Sequence, residues 1–511
     1  MITLTDEQVL AVAAPERLVR IMSAPGSGKT TVAAERFGYQ RYRLPDRRGV
    51  LGLTFNRAAA AELASRIRGR WGEGCLSFPH RVMTFDSLHV TILENLLAAR
   101  AILWPSGHEA LDVRDDYRGL TGYRYLRPPG NWRRVASMDN RLRVVSDGVR
   151  VQTPGNGIGN KAQHEAVLAS GISSHEDVRA VLEAAVQDES LVDRIALWLR
   201  NNFRAIIIDE VYDSAYLDLV IPYMAAESGL SVTLIGDPWQ ALYGWRGATP
   251  HLVDRAVETT SGEFMRYELT TSFRFEGTQM PVLAKQLRAG QPAALPKLAS
   301  TQVSVALART WRGLWHAGDN VLPLAFRTID NATDAALNLL LDLVTQANLG
   351  RPSFGREIAM TLLGLDREAV QVSQSDALGP IVRDLAAGRP VAELMDDLRN
   401  AIVTLGAPRR PRRLQETREA ERRQHLNDLR SRLNEPSLIP GLTVYQAKGQ
   451  EWPSVGVVLS SSQKSLLSSG LQALRDEDCV LYVALTRARS KCGILAADAM
   501  LDVHLAGDFE S

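Results

Sequence analysis

The stretch "SAPGSGKTT", residues 23–31, follows the apolar run "RLVRIM" and leads into a helical pattern. A strand, a turn of small residues and the start of a helix together direct backbone N–H groups at one anion. In this arrangement Lys29 meets the outer phosphates of a nucleotide and Thr30 ligates Mg²⁺. Ser23 stands where the strict phosphate-loop pattern has Gly. The stretch therefore predicts a nucleotide-binding loop, and a purely structural turn is the alternative.

An acidic pair follows a second apolar run in "FRAIIIDEVYD", residues 203–213. After such a strand, Asp209 can hold Mg²⁺ through water, and Glu210 can orient and deprotonate an attacking water. Acidic pairs also occur in ordinary surface turns. Their significance here comes from the phosphate loop that precedes them in the chain.

A third strand ends in a polar turn within "VTLIGDPWQALYGWRGA", residues 232–248. Asp237 and Gln240 are candidates for sensing a γ-phosphate. Tyr243 and Trp245 are candidates for stacking on bases, which is worth about 1 to 3 kcal/mol per base. The alternative places these aromatic residues in the core, although the Gly-flanked turn is unusually polar for a buried segment.

The composition is that of a globular chain with several domains. Its 511 residues exceed one hydrophobic core and predict about three or four domains. No apolar stretch approaches the roughly 20 residues of a membrane helix. The N-terminus "MITLTDEQVL" lacks the features of a secretory signal, so we expect a cytoplasmic protein without a membrane span. Three cysteines without CxxC spacing argue against disulfides and a structural metal site.

The net charge is +1, so any nucleic-acid binding must come from a local basic surface. Residues 409–432, "RRPRRLQETREAERRQHLNDLRSR", contain nine Arg and four acidic residues. Two interpretations stay open for this segment. It is either a solvated helix with many charge pairs or a surface that contacts phosphates or a partner protein.

Six further strings complete a series of motifs. They are "LTDEQ" (4–8), "LGLTFNRAAAAEL" (51–63), "MTFDSLH" (83–89), "ELTTSFRF" (268–275), "LTVYQAKGQEWPSVGVV" (442–458) and "LYVALTRAR" (481–489). In this order along almost the whole chain, the series resembles the UvrD/Rep-like superfamily 1 DNA helicases. The last string is the most diagnostic. The match implies a short family member that uses ATP and Mg²⁺.

The resemblance implies a role for each residue of the ATP site. Gln8 reads adenine, Phe273 lies on it, and Glu451 holds the ribose. The expected catalytic residues are Lys29, Asp209, Glu210, Gln240, Arg274 and Arg487, and the expected metal-binding residues are Thr30 and Asp209. The expected nucleotide-binding residues are Gln8, Ala24, Pro25, Gly26, Ser27, Gly28, Lys29, Thr30, Thr31, Phe273, Arg274, Glu451 and Arg487.

Single-stranded and tailed duplex DNA are the expected substrates. By resemblance, the DNA contacts are Thr54, Phe55, Asn56, Thr84, Phe85, Tyr243, Trp245, Arg246 and Lys448. Arg274 and Arg487 lie far downstream of the phosphate loop, so they can act on the γ-phosphate only if a second domain folds over the first. If both domains grip one strand, ATP-dependent closure moves the grip along it, in the 3′–5′ direction that the family implies.

The expected fold is α/β, with two RecA-like parallel-sheet cores interrupted by mostly helical insertions. Residues 1–90 and 196–270 form the first core, and 91–195 its insertion. Residues 271–349 and 437–511 form the second core, and 350–436 its reduced insertion. Within the first core, the strands that precede Lys29 and Asp209 are expected to be neighbours.

Some positions depart from the family pattern. Asp86 replaces His, Tyr212 replaces Gln, and Tyr445 replaces His. The shortened second insertion and the lack of room for a fused nuclease suggest a weak unwinder that depends on a partner, such as a separate nuclease. The main alternative is a DNA- and nucleotide-sensing ATPase subunit that regulates such a nuclease in repair or antiviral defence. An unrelated phosphate-loop kinase or transporter ATPase is a third interpretation.

Overall fold

Two units make up the chain in the computed structural model, Met1–Phe273 and Arg274–Ser511. The structure describes residues 3–43, 45–117, 120, 132–151, 160–244 and 247–495. Each unit contains a six-stranded sheet in which every pairing between strands is parallel. The predicted α/β fold with parallel-sheet cores is therefore confirmed. The predicted limits of the cores and insertions stay predictions.

The first unit alternates strands with helices. Its described elements are α1 (Asp6–Ala13), β1 (Leu18–Ser23), α2 (Lys29–Tyr42), β2 (Gly49–Thr54), α3 (Arg57–Trp71), β3 (Arg81–Thr84), α4 (Phe85–Ala98), β4 (Asp112–Arg114), β5 (Trp132–Met138), β6 (Val144–Val151), α5 (Lys161–Ala169), β7 (Ile172–Ser174), α6 (His175–Ala185), α7 (Glu189–Asn202), β8 (Phe203–Ile208), α8 (Tyr216–Glu227), β9 (Ser231–Gly236), α9 (His251–Thr259) and β10 (Met265–Leu269).

The large sheet of this unit has the order β10-β1-β9-β8-β2-β3. Its inner strands β2 and β8 are buried almost throughout, because helices cover both faces of a parallel sheet and such strands are continuously apolar. The expectation that β1 and β8 are neighbours is wrong. β9 pairs with both of them and lies between. All three strands still end at the same edge of the sheet.

The region between α4 and α7 contains strands as well as the predicted helices. β4 pairs with β7 in parallel, and β5 pairs with β6 as an antiparallel hairpin. Most of the Arg- and Gly-rich centre of this region, residues 121–131, lies outside the described residues. The described part is thus more mixed than the helical insertion expected from the sequence.

A buried polar network joins the hairpin to the helices of this region. Ser146 Oγ lies 2.7 Å from His164 Nδ1, and His164 Nε2 lies 3.2 Å from Asp177 Oδ1. The hydroxyl groups of Tyr117 and Ser174 donate to the other oxygen of Asp177. Ser, His and Asp in this order resemble a hydrolase triad. However, all three side chains are at most 1% exposed, so the network is structural.

The second unit begins with a helix and carries a helical group after its third strand. Its described elements are α10 (Gln279–Arg288), β11 (Lys297–Leu298), β12 (Val305–Ala308), α11 (Trp311–Trp315), β13 (Val321–Pro323), α12 (Ala332–Leu349), α13 (Arg356–Leu363), α14 (Arg367–Ala386), α15 (Val391–Thr404), α16 (Glu416–Leu433), β14 (Ile439–Thr443), α17 (Val444–Ala447), β15 (Trp452–Val457), α18 (Ser461–Ser469), α19 (Asp476–Leu485) and β16 (Ala488–Leu495).

The sheet of the second unit has the order β11-β16-β15-β12-β14-β13. The helices α12–α16 pack around an apolar cluster that includes Leu340, Leu378, Leu398 and Leu426. The cluster also includes Trp315 of α11 and Leu322 of β13, so this helical group shares its core with the edge of the sheet.

The arginines of the Arg-rich segment include a buried and an exposed set, and the two interpretations drawn from the sequence stay open only for the exposed set. Arg422 in α16 is buried and donates through Nε to Asp334 at 2.7 Å. Arg432 is also buried, lies over the ring of Trp315, and donates to the carbonyls of Trp315 and Val321. These two guanidinium groups hold α16 against the rest of the unit. Neither of these two side chains lies on a solvated face or a phosphate-contacting surface. The exposed arginines of the segment are Arg409, Arg410, Arg412, Arg413 and Arg418.

Other global features are simple. No helix among the described residues combines the length and apolar character that crossing a membrane requires. Cys75, Cys479 and Cys492 are buried free thiols. Within the described ranges, no group of three or more His, Cys, Asp or Glu side chains is arranged to hold a metal ion.

Replacing Asp177 tests the buried network. We expect Asp177→Ala to destabilise the hairpin region by about 3 to 5 kcal/mol, because it leaves several buried polar groups without their shared acceptor. Hydrogen exchange of the β5 and β6 amides measures this locally. Asp147→Ala is the matched control, since Asp147 is exposed and pairs with the half-exposed Lys161 at the surface. Equal protection in the two variants would contradict the assignment.

Candidate nucleotide-binding site

The loop between β1 and α2 has the backbone of an anion-binding turn. Gly26 and Gly28 adopt φ values of 72° and 80°, in the left-handed region that favours glycine. A Cβ on Gly28 would also lie only 2.8 Å from Nε2 of Gln8. The helix α2 starts at Lys29, so the first N–H groups of the helix face the space enclosed by the loop.

Two other predicted residues of the first unit hold this loop. Gln8 Nε2 donates to the carbonyl of Ser27 at 2.9 Å. The backbone N–H of Phe273 donates to the carbonyl of Gly26 at 2.9 Å, while the Phe273 ring is 59% exposed. The sequence-based adenine reader and adenine-stacking ring are therefore both attached to the phosphate loop. The ring of Phe273 is available for a flat ligand.

Sequence reasoning missed one residue of this assembly, Glu7. Its carboxylate accepts hydrogen bonds from the backbone N–H groups of Thr270 and Thr271 at 2.8 and 2.7 Å. Burial raises the pKa of Glu7, but these hydrogen bonds lower it further than burial raises it, so the net pKa is below its ordinary value. Its position next to Gln8 in the motif "LTDEQ" could have identified Glu7 as part of the site. Glu7 ties α1 to the segment that carries Phe273.

The acidic pair lies against the start of α2. Thr30 Oγ1 donates to Asp209 Oδ2 at 2.9 Å, and Lys29 Nζ lies 3.6 Å from Glu210 Oε1. Asp209 is buried, and its burial together with the negative charge of Glu210 raises its pKa to about 6. The nearby Lys29 and Thr30 oppose this shift. The acidic pair and the phosphate loop, which come from two distant sequence motifs, thus form one cluster.

A divalent cation fits the chemistry of this cluster. The second oxygen of Asp209, Oδ1, is buried and accepts no hydrogen bond from a described residue. The hydroxyl group of Ser27 is also buried and has no hydrogen-bond partner among the described residues. A carboxylate and a hydroxyl are oxygen ligands of the kind that Mg²⁺ prefers. A cation would compensate the charge that burial disfavours on Asp209. The predicted ligands Thr30 and Asp209 therefore fit Mg²⁺.

Glu210 has a strained backbone. Its φ of 62° lies in the left-handed region, which costs a residue other than glycine of order 1 to 3 kcal/mol. The conformation turns the chain directly after Asp209 and leaves the Glu210 side chain partly exposed, at 32%. Such strain is typical of residues held in place for function.

The turn after β9 carries the predicted γ-phosphate sensors. Gln240 Nε2 donates to Asp237 Oδ2 at 2.7 Å, and both side chains are buried. Tyr243 is half-buried. The other two residues predicted to contact DNA in this turn, Trp245 and Arg246, lie outside the described residues. Contact of Gln240 with a phosphate stays a prediction.

Several other residues predicted to contact DNA have structural partners. Thr84 caps α4 by accepting from the N–H of Ser87 at 3.2 Å, and the adjacent Phe85 is only 2% exposed. Thr54 is also buried. Base stacking on Phe85 is therefore excluded in this conformation, because its ring is covered. Phe55, whose ring centre lies 5.1 Å from that of Phe85, is more accessible.

Asn56 is exposed at the start of α3 and caps this helix through the N–H of Ala59. Together with Phe55 it follows the carboxyl end of β2. Of the described side chains predicted to contact DNA in the first unit, Asn56 is exposed, and Phe55 and Tyr243 are half-buried. A DNA contact for each of these residues stays a prediction.

Two departures from the family pattern have structural explanations. Tyr212 is buried and accepts a hydrogen bond from Arg20, and a Cβ on Gly236 would lie 2.8 Å from its ring. Tyr212 therefore packs between strands. Asp86 pairs with Arg179 at 3.3 Å, and Arg179 also contacts Asp218. The carboxylate thus links α4 to α6, an element that the sequence assigned to the insertion.

In the second unit, the predicted site residues converge on the end of α19. Arg274 donates through Nε to Glu451 at 3.0 Å and through a terminal nitrogen to the carbonyl of Thr486 at 2.9 Å. Arg487 donates to the carbonyl of Val483. Lys448 follows α17 and is half-buried. The two predicted arginines and Glu451 are therefore neighbours within this unit.

These features define the class of the protein. The loop between β1 and α2 has a lysine at the start of the helix. The threonine that follows this lysine donates a hydrogen bond to a buried aspartate. Both features are typical of phosphate-loop nucleotide-binding proteins. Family comparison narrows this class. Residues 4–127 and 166–260 match the UvrD/REP helicase N-terminal domain. Residues 411–496 match the viral superfamily 1 RNA helicase core domain. The resemblance to the UvrD/Rep-like superfamily 1 helicases is thereby confirmed.

Curated relatives agree with this family. The chain is 23% identical over 342 residues to "ATP-dependent DNA helicase srs2" of Schizosaccharomyces pombe, which covers 61% of this chain and 36% of the relative. It is 24% identical to "ATP-dependent DNA helicase PcrA" of Staphylococcus aureus, over 48% of this chain and 34% of the relative. It is 26% identical to "DNA helicase II" of Escherichia coli, over 52% of this chain and 38% of the relative. The matches thus span little more than a third of these relatives.

The buried carboxylate of Asp209 has a consequence for stability without ligand. Its folded pKa of about 6 exceeds the ordinary value of 3.8, so unfolding releases a proton between about pH 4 and pH 6. The Asp209 contribution therefore becomes increasingly destabilising as the pH rises from about 4 to 6 and is constant above that range. We expect the unfolding temperature of Asp209→Asn, measured in chelator, to exceed that of wild type at pH 7.5. The difference should disappear near pH 4.

Asp213→Asn provides the matched control, because Asp213 is also buried near this turn. The same pH-dependent gain in both variants would show that the effect does not come from Asp209.

Proposed function

We propose that the protein is an ATP-dependent helicase or translocase on single-stranded DNA. The observation that carries this proposal is the cluster of Lys29, Thr30, Asp209 and Glu210, in which Asp209 accepts from Thr30 through one oxygen and keeps the other oxygen buried without a described partner. The names of the relatives support DNA as the polymer. Because the chain matches only about a third of their length, their activity is an inference for this chain.

The residues of the first unit divide the chemistry among them. The loop N–H groups and Lys29 bind the phosphates, while Thr30 and Asp209 hold Mg²⁺, which neutralises charge on the phosphates when bound. Glu210, the partly exposed carboxylate of the cluster, orients the attacking water and accepts its proton. Phe273 stacks on the base, and Gln8 donates to it. Asp209 must be ionised for its part.

The sequence-based roles of Arg274, Glu451 and Arg487 belong to the same proposal. Two guanidinium groups stabilise the charge that develops on the transferring phosphoryl group. Their support is the match of "ELTTSFRF" and "LYVALTRAR" to the family pattern, together with the convergence of Arg274 and Glu451 in the second unit. Translocation in the 3′–5′ direction is likewise proposed from the family.

Two variants separate binding from hydrolysis. We expect Lys29→Ala to lose ATP binding, because it removes the positive charge at the phosphates. Glu210→Gln should bind ATP with unchanged affinity but turn it over at least about 100-fold more slowly, because the amide accepts no proton from water. Equilibrium binding of a fluorescent ATP analogue and DNA-stimulated phosphate release measure the two steps. Near-normal turnover by Glu210→Gln would contradict the assigned role.

Strand displacement tests the activity and its direction. A duplex with a 3′ single-stranded tail should be opened in the presence of ATP, and one with a 5′ tail should not, if the protein moves 3′–5′ on the tail. Lys29→Ala serves as the inactive control. If DNA stimulates phosphate release but neither duplex is opened, the activity would be translocation without strand separation. The absence of any DNA stimulation would overturn the proposal.

A further inference from the structure

A groove of about 880 Å³ lies between the segment before α16 and the ends of α12 and α13. Five arginines line it, and no aspartate or glutamate does: Arg409, Arg410, Arg412, Arg413 and Arg418. The groove belongs entirely to the second unit. The proposed ATPase chemistry uses none of its residues.

The charge in the groove is mostly uncompensated. Arg410 pairs with Asp396 at 3.2 Å, and Arg413 with Glu416 at 3.4 Å, both in exposed positions. Arg409, Arg412 and Arg418 form no ion pair with any residue that the structure describes. By contrast, Arg422 and Arg432, further along α16, are buried on internal partners. Most of the exposed arginines are therefore not used to hold the fold together.

An apolar stripe continues from the groove along α13. Ile358 and Leu362 are four residues apart in α13, so they lie on one face of the helix. Ile358 is 51% exposed, and Leu362, which lines the groove, is 38% exposed. Contiguous exposed apolar side chains on a folded protein mark an interaction surface. The stripe and the groove form one continuous surface through Leu362.

This combination distinguishes between possible occupants. A nucleic-acid backbone uses the arginines but has no use for an apolar stripe, and single strands are held by aromatic side chains, which do not line the groove. A peptide that carries acidic residues beside aliphatic or aromatic ones uses both parts: its carboxylates pair with guanidinium groups, and its apolar face covers the stripe.

We propose that the groove at residues 408–418 and the apolar stripe of α13 bind an acidic, apolar-faced segment of a partner protein. The apolar contact supplies affinity, and the arginines supply orientation and a fast, salt-dependent encounter. The chain then presents a docking surface for another protein that is independent of its nucleotide site.

A synthetic peptide tests this directly. The probe is a fluorescent peptide of about 15 residues with a Leu/Phe face and a Glu/Asp face, long enough for about four helical turns. We expect it to bind the full chain, with affinity falling as salt rises. A peptide with the same Leu/Phe face and Lys in place of the acids should not bind, and neither should an acidic peptide with Ser in place of the apolar residues.

Two variants of the protein locate the contact. Arg409→Glu/Arg412→Glu and Ile358→Ser should each weaken peptide binding at least about tenfold. Arg194→Glu/Arg255→Glu, two exposed arginines of the first unit, is the charge-matched control and should bind as wild type. Each variant should keep the basal ATPase and unfolding temperature of wild type, which shows that it is folded.

Three outcomes overturn the proposal. Equal peptide affinity in the groove variant and its control removes the arginines from the contact. Unchanged affinity of Ile358→Ser removes the apolar stripe. Binding of a blunt duplex DNA that is lost in Arg409→Glu/Arg412→Glu, with no binding of the acidic peptide, would show a phosphate-contacting surface instead.

Discussion

The parallel sheet of the first unit is the constraint on which the candidate site depends. Parallel strands all end at one edge, so residues that follow β1, β8 and β9 meet there although they are far apart in sequence. The hydrogen bond from Thr30 to Asp209 spans this edge across the end of the intervening β9. Without the shared edge, the phosphate loop and the acidic pair would be two unrelated turns.

Burial makes this edge chemically useful and costly. Asp209 is surrounded by strands and by α2, so its carboxylate is desolvated and its pKa rises to about 6. Glu210 adds a second negative charge and a strained backbone. A fold that served only for stability would avoid both features. Their presence beside a lysine and the start of a helix is what a nucleotide with its cation would compensate.

Arginine has opposite roles in the second unit. Within α16, Arg422 and Arg432 are enclosed by carboxylate, carbonyl and aromatic partners, so their charge is used to hold helices and strands together. A few residues earlier, Arg409 and Arg412 face an open groove. Sequence composition treats all these arginines alike. The difference arises because one side of α16 packs against other elements of the unit, while the segment before α16 and the side chain of Arg418 stay at the surface.

The sequence by itself determined the class of fold and the identity of the nucleotide cluster. Continuous apolar runs specify buried parallel strands, and the residues at strand ends are read directly from "SAPGSGKTT" and "DEVYD", because local backbone chemistry sets both. Tertiary packing decided the rest. It placed β9 between β1 and β8, covered Phe85, and gave Tyr212 and Asp86 their partners. These outcomes depend on contacts between distant segments, which local pattern does not encode.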